Sequence, residues 1–226
     1  MNVVRVAGDG SGTVKFLGKT PGNQLCVAGA ISDRNTYYFL ISNLGSGPEK
    51  GKMYYIEDVD DEPGYASQRN DVIGTFVPGE PGSTMGLARS GKFFTAVADL
   101  AVLTLDAPQK DIIFGAHARE LRMVIITLGA TPTTVYKKFE QVLPGNLGTS
   151  TWGAAWTFAG RVYFGNNGNG NQGGGIYECT PNNGNWETTG AVTCSLVVLD
   201  QALNNQNDGL NCLPAMTGAN PLAPFP

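Results

Sequence analysis

The sequence predicts an all-β protein of many short strands, and three observations predict it. Glycine supplies 31 of 226 residues, about twice its usual share of roughly 7%. Charged residues make up only 15%, against roughly a quarter in an average soluble domain, so few Glu and Lys remain to line the outer faces of long helices. Short runs rich in Tyr, Phe, Val and Ile recur between Gly-, Asn- and Pro-rich breaks, the pattern of strands joined by turns. A hydrophobic content of 42% is enough to bury a core in a chain of this length, as one large domain or two smaller ones.

The pattern is clearest from Trp152 to Thr180, WGAAWTFAGRVYFGNNGNGNQGGGIYECT. Gly153-Ala154 opens it, Arg161 to Phe164 is a β-rich run, and Gly175 to Glu178 is the return strand across a Gly-Asn loop. Gly and Asn there supply the positive φ angles that a tight connection needs.

Taken in order, the chain begins with NVVRV, a glycine-rich turn and TVKFLG, two short strands between Asn2 and Gly18. Leu25 to Ile31 and Thr36 to Ile41 follow across a polar turn, and a loop with Gly45, Gly47, Pro48 and Gly51 leads to Lys52 to Glu57. This order repeats that of the Trp152 stretch: Gly29 answers Gly153, Tyr38-Phe39 answers Tyr163-Phe164, and Gly51 to Tyr54 answers Gly174 to Tyr177. Two weaker copies lie between. One runs from Gly86 through Lys92 to Val97 and Ala101 to Asp106; the other from Gly115 through Leu121 to Ile126 and Thr134 to Lys137. Asp71 to Val77, Asp111 to Phe114, Phe139 to Leu143 and Ala191 to Leu199 trail these copies as further β-like runs. The β-branched Val124-Ile125-Ile126 makes Ala116 to Ile126 strand rather than helix.

Four short strands per unit predict a β-propeller-like array of about four to five short antiparallel blades over residues 1–200. The uneven unit spacing keeps a β-sandwich pair as the alternative. Residues 201–226, with Pro214, Pro221, Pro224 and Pro226, read as a linker or extended arm. Asn2 to Leu17 looks like the last two strands of a blade, which Cys194 to Leu199 would complete; the alternative is one portion of a longer chain.

The Gly-x-apolar-Tyr unit resembles the blades of extracellular propeller-like repeat domains in large secreted and cell-surface proteins, over residues 2–200. Asn207 to Cys212, NDGLNC, is similar to a surface-protein linker element. The resemblance implies an adhesive, scaffold or appendage component rather than an enzyme, with other protein subunits as partners in a homo- or hetero-oligomer.

Composition narrows the function classes. A net charge of −4 with a pI near 5.0 gives no basic stripe for nucleic acid. No apolar run approaches the roughly 20 residues of a membrane span. MNVVRVAGDGSG lacks the basic and apolar regions of a secretory signal, so a signal has been removed, the chain is a fragment, or it is cytosolic. Cys26, Cys179, Cys194 and Cys212 are even in number with no Cys-x-x-Cys spacing, which favours Cys179–Cys194 and Cys26–Cys212 disulfides and an extracellular or cell-surface setting. Zinc would need all four cysteines, because His117 is the only histidine. The chain has no Asn-x-Ser/Thr acceptor for N-glycosylation.

Residues for chemistry are few, and no catalytic, cofactor or metal residue is assigned. His117 lacks a Gly-x-Ser-x-Gly partner and reads as a turn histidine. The acidic run Glu57 to Glu62 does not match the calcium-loop spacing and reads as a solvated turn. Gly165 to Gly175 lacks the Gly-Lys-Ser/Thr ending of a phosphate loop. Trp152, Trp156 and Trp186 have faces that suit sugar rings, although buried blade aromatics fit the same positions. The expectation is therefore a non-enzymatic structural or interaction module of an extracellular, cell-surface or filamentous assembly. A carbohydrate-binding module is the alternative, and a glycan-active hydrolase or lyase the third reading, through a carboxylate pair that the sequence does not single out.

Overall fold

The computed structural model describes residues 2–6, 14–19, 26–34, 36–41, 53–56, 74–76, 94, 97–105, 110–128, 133–144, 152–166 and 174–200. Among these residues there is no helix, and every regular element is an antiparallel strand. A hairpin of β1 (Asn2–Val6) and β2 (Val14–Lys19) comes first. Three four-stranded meanders follow, in which each strand pairs only with its sequence neighbours. The first sheet is β3 (Cys26–Ile31), β4 (Tyr37–Ile41), β5 (Met53–Ile56) and β6 (Gly74–Phe76). The second is β7 (Ala101–Leu105), β8 (Lys110–His117), β9 (Glu120–Thr127) and β10 (Thr133–Phe139). The third is β11 (Trp152–Phe158), β12 (Arg161–Asn166), β13 (Gly174–Pro181) and β14 (Val192–Asp200).

The second sheet is buried on both faces. Val102, Ile113, Val124 and Tyr136 pack against Ala28, Ala30, Tyr38, Leu40 and Met53 of the first sheet. Ala101, Ile112, Phe114, Met123 and Ile125 pack against Trp152, Ala155, Val162, Phe164 and Cys179 of the third. Side chains alternate along a strand, so neighbours such as Ile112 and Ile113 enter different cores. This explains the near-continuous apolar runs IIF and MVII, which a strand with one wet face would break with polar residues. A pair of two-sheet sandwiches leaves each sheet one open face, and the second sheet has none. The first strands form one side of the stack, β3 approaching β7 and β7 approaching β11.

The first and third sheets coincide in register. Gly29, Phe39 and Tyr54 form one row across β3, β4 and β5, and Ala155, Phe164 and Tyr177 form the matching row across β11, β12 and β13. Both first strands carry a register shift at the same place, between Cys26 and Ala28 and between Trp152 and Ala154. Val27 and Gly153 are therefore the corresponding bulged residues. Tyr38-Phe39 does answer Tyr163-Phe164, but the partner of Gly29 is Ala155, not Gly153.

The stretch between these sheets differs from the sequence expectation. The sequence reads Gly86 to Asp106 and Gly115 to Lys137 as separate copies, whereas β7 to β10 are one sheet. Asp111 to Phe114 is not a trailing run but the middle of β8, and Gly115 continues it. Gly115 thus lies in a second strand, where a Cβ would come within 2.7 Å of Val97 Cγ1. Gly86 lies outside the described residues. Phe94 sits in a turn closed by Val97 N–H donating to its carbonyl at 3.1 Å, so Val97 is not in a strand. Phe139 ends β10, and Gln141 turns the chain at φ 60°, so Phe139 to Leu143 is not a strand. Cys194 to Leu199 does not complete the β1–β2 hairpin; it belongs to β14, paired along β13. Residues 201–226 lie outside the described residues.

Candidate functional site

Buried polar groups concentrate where one sheet meets the next. Asp111 sits in an apolar strand because two partners reach it from the first sheet. Tyr38 donates its O–H to Asp111 Oδ2 at 2.6 Å, and Arg34 Nη1 lies 3.3 Å from Oδ1. Arg34, in the turn between β3 and β4, also donates to the carbonyls of Lys110, at 2.9 Å, and Leu105. Burial pushes the Asp111 carboxyl above its ordinary range, outweighing the Tyr38 and Arg34 contacts that pull it down. Asp99 accepts from Ala155 N–H at 2.7 Å, and Thr157 Oγ1 donates to the Val102 carbonyl at 2.6 Å, which joins the second and third sheets.

The connection from β13 to β14 clasps the second sheet. Asn185 Oδ1 caps its turn by accepting from Glu187 N–H at 2.7 Å. The turn presents the carbonyls of Glu187 and Thr189 to Lys137 Nζ at 2.6 and 3.1 Å, and Glu187 Oε1 to Lys110 Nζ at 2.8 Å. Trp186 packs edge-on to Phe114 with centroids 4.7 Å apart and donates Nε1–H to the Gly160 carbonyl at 2.9 Å. Cys179 and Cys194, opposite each other on β13 and β14, form a disulfide that closes this hairpin.

The face of the third sheet turned away from the second carries a different set. Trp156, Tyr163 and Glu178 form one row across β11, β12 and β13. The two rings stack 9° from parallel at 5.5 Å. Tyr163 donates its O–H to Glu178 Oε2 at 2.8 Å, and Arg161 Nη1 bonds both carboxylate oxygens at 2.9 and 3.0 Å. Burial, then the adjacent Glu178 carboxylate, raises the Tyr163 phenol above its usual value. Phe158, two residues along β11 from Trp156 on the same face and opposite Arg161, is 56% exposed.

Of the three tryptophans, only Trp156 lies on this open face. Trp152 and Trp186 are each 4% exposed and belong to the core between the second and third sheets; Trp152 donates to the Ala118 carbonyl at 2.9 Å. Both rings are therefore packed inside that core rather than on an open face. His117 ends β8, 2.9 Å from an Arg122 nitrogen, and burial followed by Arg122 lowers its pKa. Cys26 stands in β3, whereas Cys212 lies outside the described residues, as does the Glu57 to Glu62 run. Among the described residues, no group of three or more His, Cys, Asp or Glu is placed to hold a metal ion. The sequence reading gives Tyr38 and Tyr163 only as matching positions of the repeat, and Arg34, Asp111, Arg161 and Glu178 no role in a site; a lone Asp opening the apolar run DIIF is the one available signal. Compared with protein-family models, curated proteins and solved structures, the chain matches none.

Proposed function

We propose that this chain is a non-enzymatic structural or interaction module of an extracellular or cell-surface assembly, a propeller-like array of repeated four-stranded blades. The observation that carries the reading is the outer strand β14. It is an edge strand, and Leu196, Val197, Val198 and Leu199 are 44%, 49%, 48% and 60% exposed in succession. Edge strands of free-standing proteins are ordinarily protected by Lys, Pro or a covering element, and β14 carries neither residue. An apolar edge of this kind suits pairing with another subunit. The matched registers of the first and third sheets support the repeat. The Cys179–Cys194 disulfide supports an oxidising compartment. The buried Asp111 and Asp99 and the partly buried Lys137 are engaged in inter-sheet bonds, which favours a scaffolding role for them.

The test is the size of the full chain in solution, by light scattering, for the wild type and for Val198→Lys. Oligomers that Val198→Lys disperses, with an unchanged far-UV spectrum, are expected. A wild type that stays monomeric at high concentration overturns the reading.

A further inference from the structure

We propose that the open face of the third sheet is a binding site for a neutral saccharide, centred on Trp156 and flanked by Phe158, Arg161, Tyr163 and Glu178. In the first sheet the row Ala30, Tyr38, Tyr55 lies on the face that packs against the second sheet, and Tyr38 is fully buried. In the third sheet the corresponding row is Trp156, Tyr163, Glu178. At equivalent places, a small residue has become a large flat ring and a tyrosine has become a carboxylate. The Tyr38 hydroxyl crosses to the neighbouring sheet, whereas the Tyr163 hydroxyl stays within its own sheet, on Glu178. A face that docks a sheet in one place is therefore amphiphilic in the other.

A sugar fits that chemistry. A pyranose has an apolar C–H face and a rim of hydroxyls, and needs a flat ring beside groups that both donate and accept. Tyr163 covers one side of Trp156. Among the described residues β11 is the edge of its sheet, so no described strand of that sheet lies beyond the other side. Glu178 is acceptor-only and retains lone-pair capacity, and Arg161, with a side chain 53% exposed, retains N–H donors beyond the one nitrogen it commits to Glu178. The exposed Thr193 and Ser195 stand in the same rows on β14, Ser195 opposite Glu178. Arg161 and Glu178 neutralise each other, so the site has no excess charge to attract an acidic glycan, and the ligand class is uncharged.

The experiment is titration of the full chain with neutral hexasaccharides of glucose, mannose, xylose and N-acetylglucosamine, followed by calorimetry and tryptophan fluorescence. At least one should bind. Trp156→Ala should weaken it about tenfold or more and Glu178→Gln by a smaller factor, with the far-UV strand spectrum and the unfolding midpoint retained. Val198→Lys should leave sugar binding unchanged, so this site and the assembly reading fail separately. Absence of binding across the panel overturns the proposal, as does binding that survives Trp156→Ala.

Discussion

Tyr38 and Asp111 meet across the boundary between the first and second sheets, the phenol donating to the carboxylate at 2.6 Å. Asp111 has no exposed side-chain surface, so removal of either partner leaves a polar group without water to replace it. Tyr38→Phe should destabilise by about 1 kcal/mol, and Asp111→Ala by about 3 kcal/mol because it also strips Arg34 of its anion. Urea unfolding midpoints at constant slope measure both. The raised Asp111 pKa sets the sign with pH: its favourable contribution is complete below the ordinary value of 3.8 and is lost as pH rises through the higher folded value. The wild type should therefore gain stability relative to Asp111→Asn as pH falls from neutrality toward 3.8. A gap that does not change with pH would contradict the assignment.

His117 is the only histidine, so its imidazole gives one NMR titration. Burial and Arg122 favour the neutral ring, so the midpoint should lie below 6.5. The stability associated with the neutral ring is present above 6.5 and lost as pH falls through the folded value. Arg122→Gln should move the midpoint upward, and a midpoint above 6.5 in the wild type would refute the placement.

The Cys179–Cys194 bridge closes a loop with a sequence separation of 15, for which chain entropy gives about 3 kcal/mol. A Cys179→Ala, Cys194→Ala double variant should lose about that much in thermal unfolding, and added reductant should then have no further effect on this hairpin.

The tryptophans should separate into two kinds. Trp152→Ala and Trp186→Ala remove buried rings, at about 3–5 kcal/mol each. Trp156→Ala, on the open face, should cost under about 1 kcal/mol. Acrylamide should quench the fluorescence of Trp156 and spare the other two; equal quenching of all three would place Trp152 and Trp186 outside the core.

Much of the local structure was legible because period and turn chemistry are local properties. Arg161 to Phe164 and Gly175 to Glu178 lie within β12 and β13, Ala191 to Leu199 matches β14 (Val192–Asp200) to within one residue at each end, and the two N-terminal strands fall where the glycine-rich turn puts them. The Cys179–Cys194 pairing was also legible, since it spans one hairpin. The second sheet was not. Its apolar runs lack alternation because both faces are buried, so IIF and MVII carried no phase, and Gly115 was assigned to the wrong strand. The open-face row was missed because Trp156, Tyr163 and Glu178 are distant in sequence and meet only through register.

Glycine, β-branched and cysteine chemistry act over a few neighbours, so the chain order of the residues was enough to show that this protein is β-structured and that β13 and β14 are clipped together. Tertiary structure alone decided which tryptophan remains partly exposed, which aspartate is buried, and which strand stands at an edge. Those outcomes depend on which sheet covers which face, and side-chain alternation changes that answer with each single-residue step.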